Sequence, residues 1–326
     1  MLRDFVDVWD VTDRICFMNN FEMYENGIDK TGYVLEFEVS QVLREHKWRV
    51  INNKYYVDDV QGSVRELDLL AYKATEIQGF YVYTTLLISC KKNEKNAWVF
   101  ISKDKEDDDP NFDWSPLHYW TSDKVLNYQL TKNKWTDEYL EASGSLKDSV
   151  FIPEDHIYAF QEMSKNSGNP QNDKNIYSSI TSLMKAQNYE INALSERKKG
   201  RFIYKFSLIS LIDSEMIKIN IDSEGNKKSS TIDGDKFIGN YIVDGKKCDS
   251  KIHFVKWNKF SAILERYDDL HEHNVSYFEG VYDSFFEDAL DKWEKKKVLI
   301  DDFDKAVNYE IRRCIYRNFV TTQVSK

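Results

Sequence analysis

Three segments place charged side chains where apolar patterning calls for none: residues 32–39 (GYVLEFEV), 65–71 (RELDLLA) and 87–92 (LISCKK). Asp68 sits inside an apolar run, and an ionised carboxylate there is unfavourable unless an opposite charge or a metal ion meets it. Lys91, closing the next apolar run, is a natural counter-charge, and a divalent cation is another. Two chemistries are therefore open to Asp68, cation binding and a structural ion pair. Alternation along a strand turns Glu66, Asp68 and Leu70 to one face, and likewise Leu87, Ser89 and Lys91. Glu36 and Glu38 stand on opposite borders of a helical apolar stripe. Glu36, beside Val39 and Leu43, is the acid expected to approach the strands. Glu66 also reads as an exposed strand-end acid, and Lys92, facing away from Lys91, as a solvated or phosphate-contacting side chain.

The elements that position these residues follow from periodicity. Residues 33–47 carry Leu35, Val39, Val42 and Leu43, with His46 below them, at helical spacing. Residues 48–57 and 64–75 read as strands separated by a turn at 58–63 (DDVQGS), and 79–92 as a long apolar strand covered on both faces. The stretch 93–175 shows no sustained period. A second helix is expected at 176–197 through Ile180, Leu183, Met184 and Ile191, and strands return at 201–212, 216–221, 237–243 and 251–257. Helical patterning resumes after residue 258 as a C-terminal layer or lobe. The chain thus reads as an N-terminal arm (1–31), an α/β core (32–257) with an irregular insertion at about 93–175, and a helical portion (258–326).

Composition bounds the classes. With 326 residues, 41% hydrophobic and 31% charged, and a mean hydropathy of −0.61, the chain is globular. No apolar run is long enough for a membrane helix and the start, MLRDFVDVWD, lacks the pattern of a secretory signal, so a cytoplasmic location and no membrane partner are expected. Cys16, Cys90, Cys248 and Cys314 form no CxxC pair and read as reduced thiols. The net charge of −10 excludes a uniformly basic surface, although it permits a local basic patch.

Residues 31–100 resemble the PD-(D/E)xK, or restriction-endonuclease-like, nuclease superfamily. The resemblance rests on Thr31-Gly32 before the helix, Tyr55, Tyr56, Val57, Asp58 and Asp59 before the turn, the 65–71 segment, and Trp98, Val99 and Phe100 after the lysines. It implies an α/β fold with a mixed sheet flanked by helices. It also implies that Asp68 is the metal-binding acid, Lys91 the lysine that orients or activates the attacking water, and Glu36 the helix acid. The family has Asp or Glu before the x-Lys, whereas this chain has Ser89, with Cys90 as x. Magnesium keeps several of its roughly six ligands as water, so Asp68, the Cys90 carbonyl and Glu36 or Glu66 are a sufficient set; alternatively Ser89 holds a ligated water. The implied activity is Mg²⁺- or Mn²⁺-dependent endonucleolytic cleavage of nucleic acid, DNA first, in prokaryotic or phage defence. The alternative is an inactive nuclease-fold module binding nucleic acid, or a protein partner or second copy through the C-terminal helices.

The remaining candidates carry less. His271 and His273 form an HxH at an expected helix end, read as surface, and HExxH is absent. The acidic run 106–109 reads as a solvated loop, and 197–201 (RKKGR) as a phosphate contact or simply a cationic helix end. No P-loop, GxGxxG or GxSxG is present, which counts against nucleotide hydrolysis, dinucleotide chemistry and serine-hydrolase action.

Overall fold

The computed structural model describes residues 21–58, 62–105, 116–131, 134–197, 199–289 and 291–303. Within them, helical residues 21–28 lead into α1 (Gly32–Glu45), followed by β1 (Arg49–Val57), β2 (Val64–Ile77), β3 (Phe80–Lys92), β4 (Asn96–Lys103) and β5 (His118–Thr121). Then come α2 (Lys124–Leu130), α3 (Trp135–Ala142), a π turn (Lys147–Phe151), β6 (His156–Ser164) and α4 (Lys174–Arg197). β7 (Phe202–Asp213), β8 (Met216–Ile221), β9 (Lys227–Thr231), β10 (Gly234–Val243), β11 (Lys246–Lys256), α5 (Phe260–Phe286) and α6 (Trp293–Phe303) complete the order.

The main sheet is mixed, in the order β1-β2-β3-β7-β11-β10, with β5 beside the first half of β7. β1, β2 and β3 form an antiparallel meander, β3 pairs parallel with β7, β7 parallel with β11, and β11 antiparallel with β10. Both faces of this sheet are covered, which explains the near-continuous apolar composition of β3 and β7. On one face lie Leu35, Val39 and Leu43 of α1 and Phe260, Leu264, Tyr267, Leu270 and Phe278 of α5. The other face takes Ile180, Leu183 and Met184 of α4, together with a second, four-stranded sheet in the order β6-β4-β8-β9. Trp98 and Phe100 of that sheet meet Phe254 of β11. Each such fully buried aliphatic or aromatic side chain stabilises the fold by about 1.5–3 kcal/mol.

α1 begins where Thr31 caps it: its hydroxyl accepts the Tyr33 N–H at 3.4 Å. The helix stops at Glu45, two residues before the expected end, because Lys47 takes a φ of +64° and turns the chain into β1. The stretch without period, 93–175, holds β4, β5, α2, α3 and β6. β4 and β6 pair with each other and β4 with β8, so no local alternation announces them. β9 is exposed throughout and polar, so its sequence carries no apolar signal of a strand. α5 lies on the main sheet as a layer, with Phe260, Leu264, Tyr267, Leu270 and Phe278 in the core. Residues 21–28 of the expected arm are helical; residues 1–20, Asp59 to Gln61 of the turn, Cys16 and Cys314 lie outside the described residues. Among the described residues no helix is long and apolar enough to cross a membrane, and the buried Cys90 is outside any disulfide.

Candidate active site

Antiparallel pairing brings the start of β2 and the end of β3 to the same end of the sheet, where the last paired residues are Leu69 and Ile88. Just beyond that pair the carboxylate of Asp68 occupies the edge of β3. Its Oδ2 accepts the main-chain N–H of Cys90 at 2.6 Å and the hydroxyl of Ser89 at 3.2 Å, and stands 3.8 Å from Lys91 Nζ. All three contacts fall on one oxygen. Ser89 is only 2% exposed, while the side chains of Asp68 and Lys91 stay partly open to solvent.

Regular alternation does not hold here. Leu67 packs into the core on the α4 face, whereas Leu69 packs on the α1 face, so the two leucines flanking Asp68 lie on opposite sides of the sheet. The expectation that Glu66, Asp68 and Leu70 share one face is therefore corrected: Leu70 belongs to the α4 side, and Asp68 has left the period. The irregularity is matched on β1. Asn53 adopts a φ of +53°, a conformation that asparagine tolerates better than most residues, in the gap between the pairs Asn52 with Leu69 and Lys54 with Leu67. Asn53 Nδ2 then donates to Glu66 Oε1.

Glu36 reaches this end from α1. Its carboxylate folds back over Gly32, where an added Cβ would stand 3.7 Å from Oε1. Burial, and then the negative charges of Asp68 and Glu66, push its carboxyl up from 4.5 to about 7, with Lys91 opposing. Glu36, Glu66, Asp68 and Lys91 thus form one electrostatic cluster in which acids outnumber the base. Glu38 is exposed. Cys90 contributes its main-chain N–H, and its buried thiol is held well above the usual range by burial and then by the Asp68 and Glu36 charges, so it is neutral.

The donor chemistry suits a hard divalent ion: carboxylate oxygens with an excess of negative charge. Among the described residues no three His, Cys, Asp or Glu side chains stand close enough together to cage a metal. Asp68 and Glu36 are the carboxylates at this end that could hold an ion keeping most of its ligands as water.

Other sequence candidates take structural roles. His271 is buried, not at the surface; its ring bridges Thr75 at 2.9 Å and Thr84 at 3.0 Å, and His273 packs against Tyr139. Arg197 pairs with Glu190 and Arg201 with Asp123, so these members of the basic run serve the fold. Lys92 donates to the Asp29 carbonyl, fixing the segment ahead of α1. The acidic run 106–109 lies outside the described residues. Sequence reasoning missed Asn53 and the Cys90 N–H; Asn in the middle of an otherwise regular strand was the available signal for the first.

Compared with protein-family models, with curated proteins and with solved structures, the chain finds no match.

Proposed function

We propose that this chain is a metal-dependent nuclease of restriction-endonuclease-like fold that hydrolyses phosphodiester bonds in nucleic acid, DNA first. The observation that carries the reading is the convergence of Asp68, Lys91 and Glu36 at one end of a mixed sheet in which β1, β2 and β3 run antiparallel and β7 pairs parallel with β3. Asp68, through the oxygen outside its three contacts, and Glu36 would hold Mg²⁺ or Mn²⁺. Bound there, such an ion supplies a water of lowered pKa and polarises the phosphoryl oxygen. Cys90 N–H and Ser89 fix the Asp68 carboxylate so that it need not reorganise. Lys91, partly open to solvent, orients the attacking water and offsets charge growing on the phosphate. The resemblance adds a defence role in a prokaryotic or phage cytoplasm.

A second reading has one specific observation behind it: Ser89 stands where the family has a carboxylate, and its hydroxyl is already spent on Asp68. In that reading the fold binds nucleic acid or a protein partner without cutting. Incubating purified protein with plasmid, single-stranded DNA and RNA in Mg²⁺, Mn²⁺ or EDTA separates the two. Metal-dependent cleavage lost in both Asp68→Ala and Lys91→Ala supports the enzyme. Binding without cleavage supports the module, and cleavage that survives both substitutions removes the assignment.

A further inference from the structure

Among the described residues, exposed large apolar side chains gather between residues 21 and 64, and half of them are aromatic: Phe21, Tyr24, Tyr33, Phe37 and Tyr55. Three of these rings are neighbours of the cluster's acids in helix position or strand register. Tyr33 and Phe37, 66% and 60% exposed, are one helical turn apart on α1 and flank Glu36 in sequence. Tyr55, 60% exposed, is the cross-strand partner of Glu66 and so stands on that residue's face of the sheet. Glu36 thus shares a helix with two exposed rings, and Glu66 is paired in register with a third.

We infer that Tyr33, Phe37 and Tyr55 form a stacking platform for unpaired bases, and that the strand entering this site is single-stranded; the inference rests on the nuclease reading of the same site. A duplex offers a protein its phosphates and groove edges, with base faces hidden in the stack, so three open rings beside the site would find nothing to stack on. An unpaired strand offers those faces, and every base has one, which makes such a platform indifferent to sequence. With 45 basic against 55 acidic residues the surface is not uniformly basic, so stacking on these rings would add affinity to whatever local phosphate contacts the site makes.

The test uses the full chain with Asp68→Asn in EDTA, so that cleavage does not consume the probe, and fluorescently labelled 20-mers of single-stranded DNA, single-stranded RNA and duplex DNA. The expected result is tighter binding of a single strand than of the duplex, and quenching of a 2-aminopurine base placed in the strand. Tyr33→Ala, Phe37→Ala and Tyr55→Ala should each weaken single-strand binding by about tenfold or more and relieve the quench, while Tyr33→Trp retains both. An unchanged thermal midpoint confirms that these exposed positions leave the fold intact. Tighter duplex binding, or single-strand affinity indifferent to the three substitutions, overturns the inference, and Asp68-dependent plasmid cleavage would then leave the nuclease reading standing. Aromatic-dependent single-strand binding with no cleavage by the parent chain keeps the platform and removes the enzyme. A concentration-dependent dimer dissolved by the same alanines assigns the rings to a second copy and overturns the platform.

Discussion

Oδ2 of Asp68 accepts the main-chain N–H of Cys90 at 2.6 Å, at the point where β2 and β3 stop pairing. The carboxylate thereby fills the place that a β2 carbonyl would otherwise take in the ladder, and a charge-assisted bond holds it there. Structure and proposed chemistry meet in one carboxylate, through its two oxygens, and substitutions can separate them.

Asp68→Asn keeps an acceptor for Cys90 but removes the charge, whereas Asp68→Ala removes both. We expect Asp68→Asn to lose cleavage while changing stability by less than about 1 kcal/mol, and Asp68→Ala to cost roughly 1–3 kcal/mol as well, because a buried N–H is left unpaired. Urea denaturation alongside a cleavage assay reads both; an Asp68→Asn variant that cuts like the parent would place the chemistry elsewhere.

Ser89 is buried and donates to Asp68 Oδ2. Ser89→Asp sets a second carboxylate against the first, so in EDTA its melting temperature should fall below that of the parent. Mg²⁺ should raise it by more than it raises the parent, and the Mg²⁺ concentration needed for cleavage should drop. Equal Mg²⁺ shifts for the two proteins would argue against a metal at this place.

Glu36 gives a pH dependence of definite sign. Its carboxyl titrates near 7 in the folded chain and near 4.5 unfolded, so between those values the folded state holds a proton that the unfolded state releases. Stability from this group is therefore undiminished below pH 4.5, falls as pH rises through 4.5–7, and stays lower above. Glu36→Gln lacks this loss. In EDTA its melting temperature should gain on the parent's from pH 5 to pH 8; parallel profiles would contradict the placement of Glu36 beside Asp68 and Glu66.

Asp268 of α5 accepts from Trp48 Nε1 and His46 Nδ1 and pairs with Lys73, each at 2.7 Å. Burial alone would raise its carboxyl, but the bonds from Lys73, His46 and Trp48 outweigh that and hold it below the usual range. Its contribution is present at neutral pH and disappears as pH falls through the folded value. Asp268→Ala should destabilise the chain by about 1–3 kcal/mol at pH 7 and by less near pH 3, measured by denaturant midpoints.

What the sequence by itself determined is the local part. The stripe of Leu35, Val39 and Leu43 specified α1, and the apolar runs around Leu69 and Leu87 specified two neighbouring strands whose short connection made them antiparallel. From these alone Asp68 and Lys91 could be placed at one end of a sheet, and Glu36 preferred to Glu38. Tertiary structure decided the rest. Whether Asp68 follows the strand period or leaves it depends on Asn53 of β1 and on the two cores that claim Leu67 and Leu69 from opposite sides. The second sheet joins β4 to β6 and β8, and β7 pairs with β3, across long stretches of chain. Periodicity reports only which side of an element is apolar; which distant element covers that side is settled by packing between segments that carry no trace of one another in their local pattern.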